Sequence, residues 1–178
     1  MRLLPLLFLG LLFASHVEAR EARDYKASVE SILKCVEAAE KALPETRIDT
    51  ARQCIGIETQ NCDRTTEDAY QSNKRMYCAS AEAEVWYELM RNAFSALVVR
   101  YATRDAEESK KQTGVEYELV VPALRQAHEA WEQGKDCEFA RIQPGLGTDR
   151  YDAPARCGRD QVAERALLYR RWLRGQSY

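Results

Sequence analysis

The sequence predicts an all-α fold: a disulfide-stapled helical bundle with one long central helix. Ala, Glu, Arg and Leu are abundant while glycine is scarce, 8 in 178 residues, a composition that favours helices. Apolar residues recur at spacings of 3 and 4, and no stretch alternates as a strand would. The cysteines number six (35, 54, 62, 78, 137 and 157), an even count of the kind that forms a disulfide framework in an exported chain.

Residues 1–19 read as a signal peptide. Arg2 precedes an apolar run, Leu3 to Ala14, and Val17-Glu18-Ala19 offers small residues at the cleavage positions. That run is too short to span a bilayer, which takes about 20 residues. Residues 20–178 then form one domain, exported to the periplasm or secreted, with no membrane span.

The first helix is expected over Ala27–Ala42, with Val29, Ile32, Val36 and Ala39 on one side and Pro44 ending it. A polar turn from Thr46 to Thr50 leads to a short helix over Ala51–Ile57. Thr65-Thr66-Glu67-Asp68 has the form of an N-cap followed by acids, so the longest helix should start there and run to about Asp105. Tyr77, Ala81, Val85 and Leu89 form one apolar row on it, and Trp86, Met90, Phe94, Leu97 and Tyr101 a second. A polar connection follows from Asp105 to Gly114, and Pro122 marks the start or a bend of the next helix, whose buried side holds Leu124, Ala127 and Trp131. The glycines, prolines and aspartates of residues 143–156 predict a loop. Val162, Ala166, Tyr169 and Leu173 line a last helix, from Gly158 to Leu173.

Charge excludes some partners. With 26 basic and 28 acidic residues the net charge is −2, and both signs are interspersed without a basic block for nucleic acid or anionic lipid.

The stretch His128-Glu129-Ala130-Trp131-Glu132 opens like the zinc-protease signature H-E-x-x-H, but Glu132 stands where the second imidazole belongs. His128 is the only histidine beyond the signal peptide, so neither a metal site nor a cofactor is expected. Cys137 lies nine residues from His128, on the opposite side of a helix, and no G-x-S-x-G occurs. These observations predict no catalytic residue and a protein that is not an enzyme. Paired carboxylates from among Glu82, Glu84, Glu88, Asp105, Glu107 and Glu108 would allow a hydrolase as the less favoured alternative.

Cys137 and Cys157 are placed to close the loop between two helices, a bond that stabilises by about 3 kcal/mol in the chain-entropy model. A loop pinned at both ends loses less freedom on association. Asp149, Arg150, Tyr151 and Asp152 are therefore the candidate partner-binding residues, and alanine at Tyr151 and Asp152 should weaken a complex without loss of helicity. For the other cysteines two pairings stay open: Cys35–Cys78 with Cys54–Cys62, or Cys35–Cys54 with Cys62–Cys78.

Leu124-Arg125-Gln126-Ala127-His128-Glu129-Ala130-Trp131, then Lys135-Asp136-Cys137, resembles the L-x-x-A-Q-R-A-W…R-D…C helix of the LprI-like lysozyme-inhibitor family. Cys157 with Val162-Ala163-Glu164-Arg165-Ala166 and Leu168 is similar to that family's closing helix. Cys54-Ile55-Gly56, Cys62, Cys78, Glu82 and Trp86 resemble the C-I-G…C…C…E…W pattern of one branch. The resemblance is strongest over residues 54–173. His128, Glu129 and Lys135 depart from the family's glutamine and two arginines.

The resemblance implies an exported, helical, disulfide-bonded bacterial domain, and it places His128 at a structural position beside the core residues Trp86, Trp131 and Arg165. It also implies a protein partner, with lysozyme the one that some members inhibit. The expected function is an exported non-enzymatic binding protein that inhibits lysozyme-type cell-wall hydrolases. The alternative is a structural or assembly protein of the cell envelope, with the Thr66–Asp105 helix forming a dimer.

Overall fold

The computed structural model describes residues 21–42, 50–110, 119–142 and 147–175. The expected signal peptide, the Pro44 turn and parts of the two later connections lie outside those residues. Six α-helices follow in order: α1 (Val29–Ala42), α2 (Ile57–Thr65), α3 (Gln71–Glu108), α4 (Val120–Gly134), α5 (Glu138–Ile142) and α6 (Ala153–Leu173). Three 3-10 turns, Ala22–Asp24, Thr50–Cys54 and Gly147–Tyr151, complete the described structure. No strand is present among the described residues, only one isolated parallel bridge between Glu21 and Glu67.

The central helix α3 has 38 residues, about 57 Å at 1.5 Å per residue. Its principal partner is α6. Between them lie Val85, Trp86, Leu89, Met90, Ala93 and Leu97 from α3 and Val162, Ala163, Ala166, Leu167 and Tyr169 from α6, all buried. Ile32, Val36 and Ala39 of α1 and Leu124 of α4 close the same core. Most of these belong to the apolar rows legible in the sequence, because residues three and four apart share a helix face; Ala93, Ala163 and Leu167 add to them, while Ala127, expected on the buried side of α4, is exposed. Tyr77 leaves the row and is 36% exposed.

Three disulfides tie the helices together, Cys35–Cys54, Cys62–Cys78 and Cys137–Cys157, and no cysteine is free. Of the two open pairings the second is therefore the observed one. Three such bonds indicate an oxidising, extracytoplasmic environment. No helix among the described residues is long and apolar enough to cross a membrane.

Three boundaries differ from expectation. The Thr65–Asp68 stretch does not open α3. Thr66 instead turns its hydroxyl and its N–H back onto the carbonyl of Cys62, closing α2, while Ala22 N–H bonds the Glu67 carbonyl. The short helix expected over Ala51–Ile57 is a 3-10 turn, broken at Gly56 with φ 94° before α2 begins. The last helix starts at Ala153 rather than Gly158, since Pro154 is fully compatible with a first helical turn.

Glu82 explains how the α2 end of the core is organised. It is 0% exposed on α3, a position where the sequence pattern places apolar side chains. Its Oε1 accepts from Gly56 N–H at 2.7 Å and Trp86 Nε1 at 2.9 Å, and its Oε2 from Thr59 N–H and Thr59 Oγ1, both at 2.7 Å. The carboxylate thus caps the N-terminus of α2 from another helix, satisfying donors that α2 itself leaves open. Arg159 of α6 donates to Thr59 Oγ1 at 3.0 Å and extends the network to a third helix.

Gly56 is required by this arrangement. Its φ is in the left-handed region, and a Cβ there would sit 3.3 Å from Arg159 Nη1. Gly56→Ala is expected to destabilise by about 1–2 kcal/mol, read as a lower denaturant midpoint at unchanged slope.

Glu58 does similar work for the start of the described chain. Only 2% exposed, it accepts from Tyr25 Oη at 2.7 Å and Ser28 N–H at 2.8 Å. Burial alone would raise its pKa, but these bonds hold it below the usual carboxylate value. Burial and the same contact push the Tyr25 phenol up to about 12.

Candidate partner-binding face

Asp136 Oδ1 accepts from the Glu138 N–H at 2.8 Å, and the Cys137 carbonyl accepts from Ala140 N–H, which together start the short helix α5. Arg141 pairs with Glu138 one turn back. A helix of five residues cannot bury a face of its own. Its two large apolar side chains, Phe139 and Ile142, remain 68% and 60% exposed.

The Gly147–Tyr151 turn packs beside α5 and against α3. Asp149 anchors it through Arg75 of α3, with Nη1 3.2 Å from Oδ1. Tyr151 is 53% exposed, and Arg150 Nη2 donates to its hydroxyl at 2.9 Å. Behind both elements the Cys137–Cys157 bond holds two Cα atoms 5.7 Å apart. The result is a short, braced segment that presents Phe139, Ile142, Arg150 and Tyr151 outward.

Of the four residues expected to contact a partner, the structure separates one. Asp152 is 0% exposed, because it forms the N-cap position of α6. Its Oδ2 lies 3.1 Å from Arg156 Nε, an ion pair without an aligned hydrogen bond. Asp152 is therefore a folding residue and unavailable as a contact. Phe139 and Ile142, exposed on the same segment, were not among the residues that the sequence singled out. Their signal was two apolar residues among charges, enclosed between two half-cystines, in a stretch too short to show a period.

An open groove of about 550 Å³ lies between α3 and the first half of α6 and reaches Cys137, lined by Ala83, Tyr87, Lys135, Cys137, Gly158 and Val162 among others.

His128 lies elsewhere, in a seam that fastens α4 to α3 and α6. Its ring stacks on Phe94 at 4.1 Å, and its Nδ1 is 3.0 Å from the Tyr169 hydroxyl. Arg165 Nε donates to the same phenol oxygen at 2.9 Å, and Arg165 Nη2 to the Ala127 carbonyl at 3.1 Å. Trp131 is partly buried and flanks the seam, with the Arg165 guanidinium 5.3 Å from its ring centroid. Glu132 pairs with Lys135 at 2.5 Å rather than completing a ligand set. No group of three or more metal-ligating side chains occurs among the described residues.

Burial holds His128 below its ordinary pKa of 6.5, with Arg165 and Lys135 acting in the same direction and Glu132 and Glu129 against it. The native imidazole is neutral, so the unfolded chain takes up a proton at higher pH than the native one. Stability is full above the unfolded value and is lost as pH falls through the depressed native value. The expected result is a Tm that declines from pH 7.5 to pH 5, with His128→Gln flattening that part of the profile.

The carboxylates considered for catalysis are partly accounted for. Glu82 is committed to its network, and Asp105 accepts from Val120 and Val121 N–H at 3.0 and 2.7 Å, capping α4. No protein-family model, curated protein or solved structure matches this chain.

Proposed function

We propose that this chain is an exported, non-enzymatic binding protein that meets its protein partner through the Cys137–Cys157 segment, and that the partner is a lysozyme-type cell-wall hydrolase. One observation carries the binding face: Phe139, Ile142 and Tyr151 are exposed on elements braced by a disulfide and by the Arg75–Asp149 pair. Large apolar and aromatic side chains held in place lose little entropy on association and supply most of an interface's energy. Inhibition would be steric, the segment occupying or covering the substrate cleft.

The identity of the partner rests on the resemblance of residues 54–173 to the LprI-like family, and export rests on the signal-peptide pattern together with the three disulfides. The test adds the oxidised protein to c-type and g-type lysozymes lysing a cell-wall suspension. Dose-dependent protection that disappears after reduction and alkylation is expected. Full lysis by both enzymes at excess protein would overturn lysozyme as the partner.

A further inference from the structure

We infer that Cys137–Cys157 is a thiol-exchange site: a dithiol reductant reaches it through the adjoining groove, opens it ahead of the other two disulfides and frees the segment that it closes. The three bonds differ in what surrounds their sulfurs. Cys62 and Cys78 are both 0% exposed, so no thiolate reaches either. Cys35 is partly exposed and borders a groove of its own, but its partner Cys54 is 0% exposed. Attack on Cys35 must expel the Cys54 thiolate into an apolar core, where burial disfavours the charge.

Cys137 and Cys157 are both partly exposed. Cys137 lines the groove of about 550 Å³, whose floor is opened by Gly158, where a Cβ would meet nothing within 4 Å. The leaving sulfur is also provided for. Gln161 Nε2 lies 3.5 Å from Cys157 Sγ and is placed to donate to the departing thiolate.

The step balances as ordinary exchange. One thiolate of the dithiol bonds to Cys137 Sγ, the Sγ–Sγ bond breaks, and the Cys157 thiolate leaves and takes a proton. The second thiolate of the dithiol then displaces Cys137, which is protonated in turn. The dithiol ends as a disulfide, having supplied two electrons and two protons. The reactivity stands independently of the proposed function, whereas the loss of binding on release rests on it.

The experiment exposes the native protein to dithiothreitol without denaturant, quenches with an alkylating agent and maps the labelled peptides. Cys137 and Cys157 should be labelled at least about tenfold faster than the other four cysteines, with far-UV circular dichroism retained. Gly158→Leu, which fills the groove and leaves the bond itself intact, should slow that labelling by about tenfold. Simultaneous labelling of all six cysteines, or earlier labelling of Cys35 and Cys54, would overturn the exchange site. Equal rates in the Gly158→Leu variant would overturn the groove as its route of access. If selectively reduced protein still inhibits a lysozyme that the oxidised form inhibits, release of the contact segment is overturned while the exchange site stands.

Discussion

Glu82→Ala is expected to destabilise the protein by about 3–5 kcal/mol, the cost of breaking a buried charged network on one side. The carboxylate accepts four hydrogen bonds at 0% exposure, and its loss leaves Gly56 N–H, Thr59 N–H and Trp86 Nε1 without that partner. A cavity in the core adds to the effect, since Trp86 and Met90 lie one and two turns further along α3 and are both fully buried. At about 2–4 °C per kcal/mol for a chain of this size, the Tm should fall by roughly 10 °C. Glu82→Gln keeps the shape and one acceptor but turns an amide donor toward the α2 donors, so it should fall between wild type and alanine. A denaturant midpoint within about 0.5 kcal/mol of wild type for the alanine variant would remove Glu82 from this role.

The second large effect concerns binding. Phe139→Ala combined with Tyr151→Ala should weaken the proposed hydrolase complex by about 100-fold, equivalent to about 2.7 kcal/mol, because exposed aromatic anchors dominate interfaces of this kind. Both side chains are more than half exposed, so thermal stability should change by less than about 0.5 kcal/mol. Isothermal titration checks the affinity and a melting curve checks the fold. Asp152→Ala belongs to a different class. Its carboxylate is buried at the head of α6 beside Arg156 and makes no hydrogen bond, so its replacement acts on the fold and not on a partner. Weakened binding in that variant would therefore report folding rather than contact, which corrects the simpler expectation from the sequence. An undiminished affinity in the Phe139/Tyr151 double variant would move the binding face away from α5 and its neighbouring turn.

The parts of the fold legible in the sequence were those set by one-dimensional periodicity. Ile32, Val36 and Ala39 on α1, and Trp86, Met90 and Leu97 on α3, repeat at helical spacing and are buried where that spacing puts them. Cys137 and Cys157 flank a stretch rich in turn formers and are paired. Glu82 was illegible as a core residue because a carboxylate ordinarily marks a solvated face. Only the folded chain brings the donors of Gly56 and Thr59 to it from 26 and 23 residues away. The same holds for the start of α3. Thr66 is capable of capping a helix that follows it or of closing one that precedes it, and the Cys62–Cys78 bond and the pairing of Glu67 with Ala22 select the second. His128 was legible as structural from its solitude, but its partners Phe94, Arg165 and Tyr169 come from two other helices.

At the candidate face, Tyr151 and Arg150 were expected to be exposed and are. Phe139 and Ile142 add exposed apolar area beside them, on which the proposed binding face rests. That α5 exists at all depends on Asp136 and on the disulfide behind it, since five residues make no stable helix alone.

The central claim is that the Cys137–Cys157 segment is where the partner sits. Amide hydrogen exchange of the oxidised protein, alone and with saturating hydrolase, measures this directly, because short surface helices exchange fast when free. The account predicts slowed exchange across 138–142 and 147–151, with α1 unchanged. Protection confined to α1 or to the outward side of α3, with none in those two stretches, would contradict it.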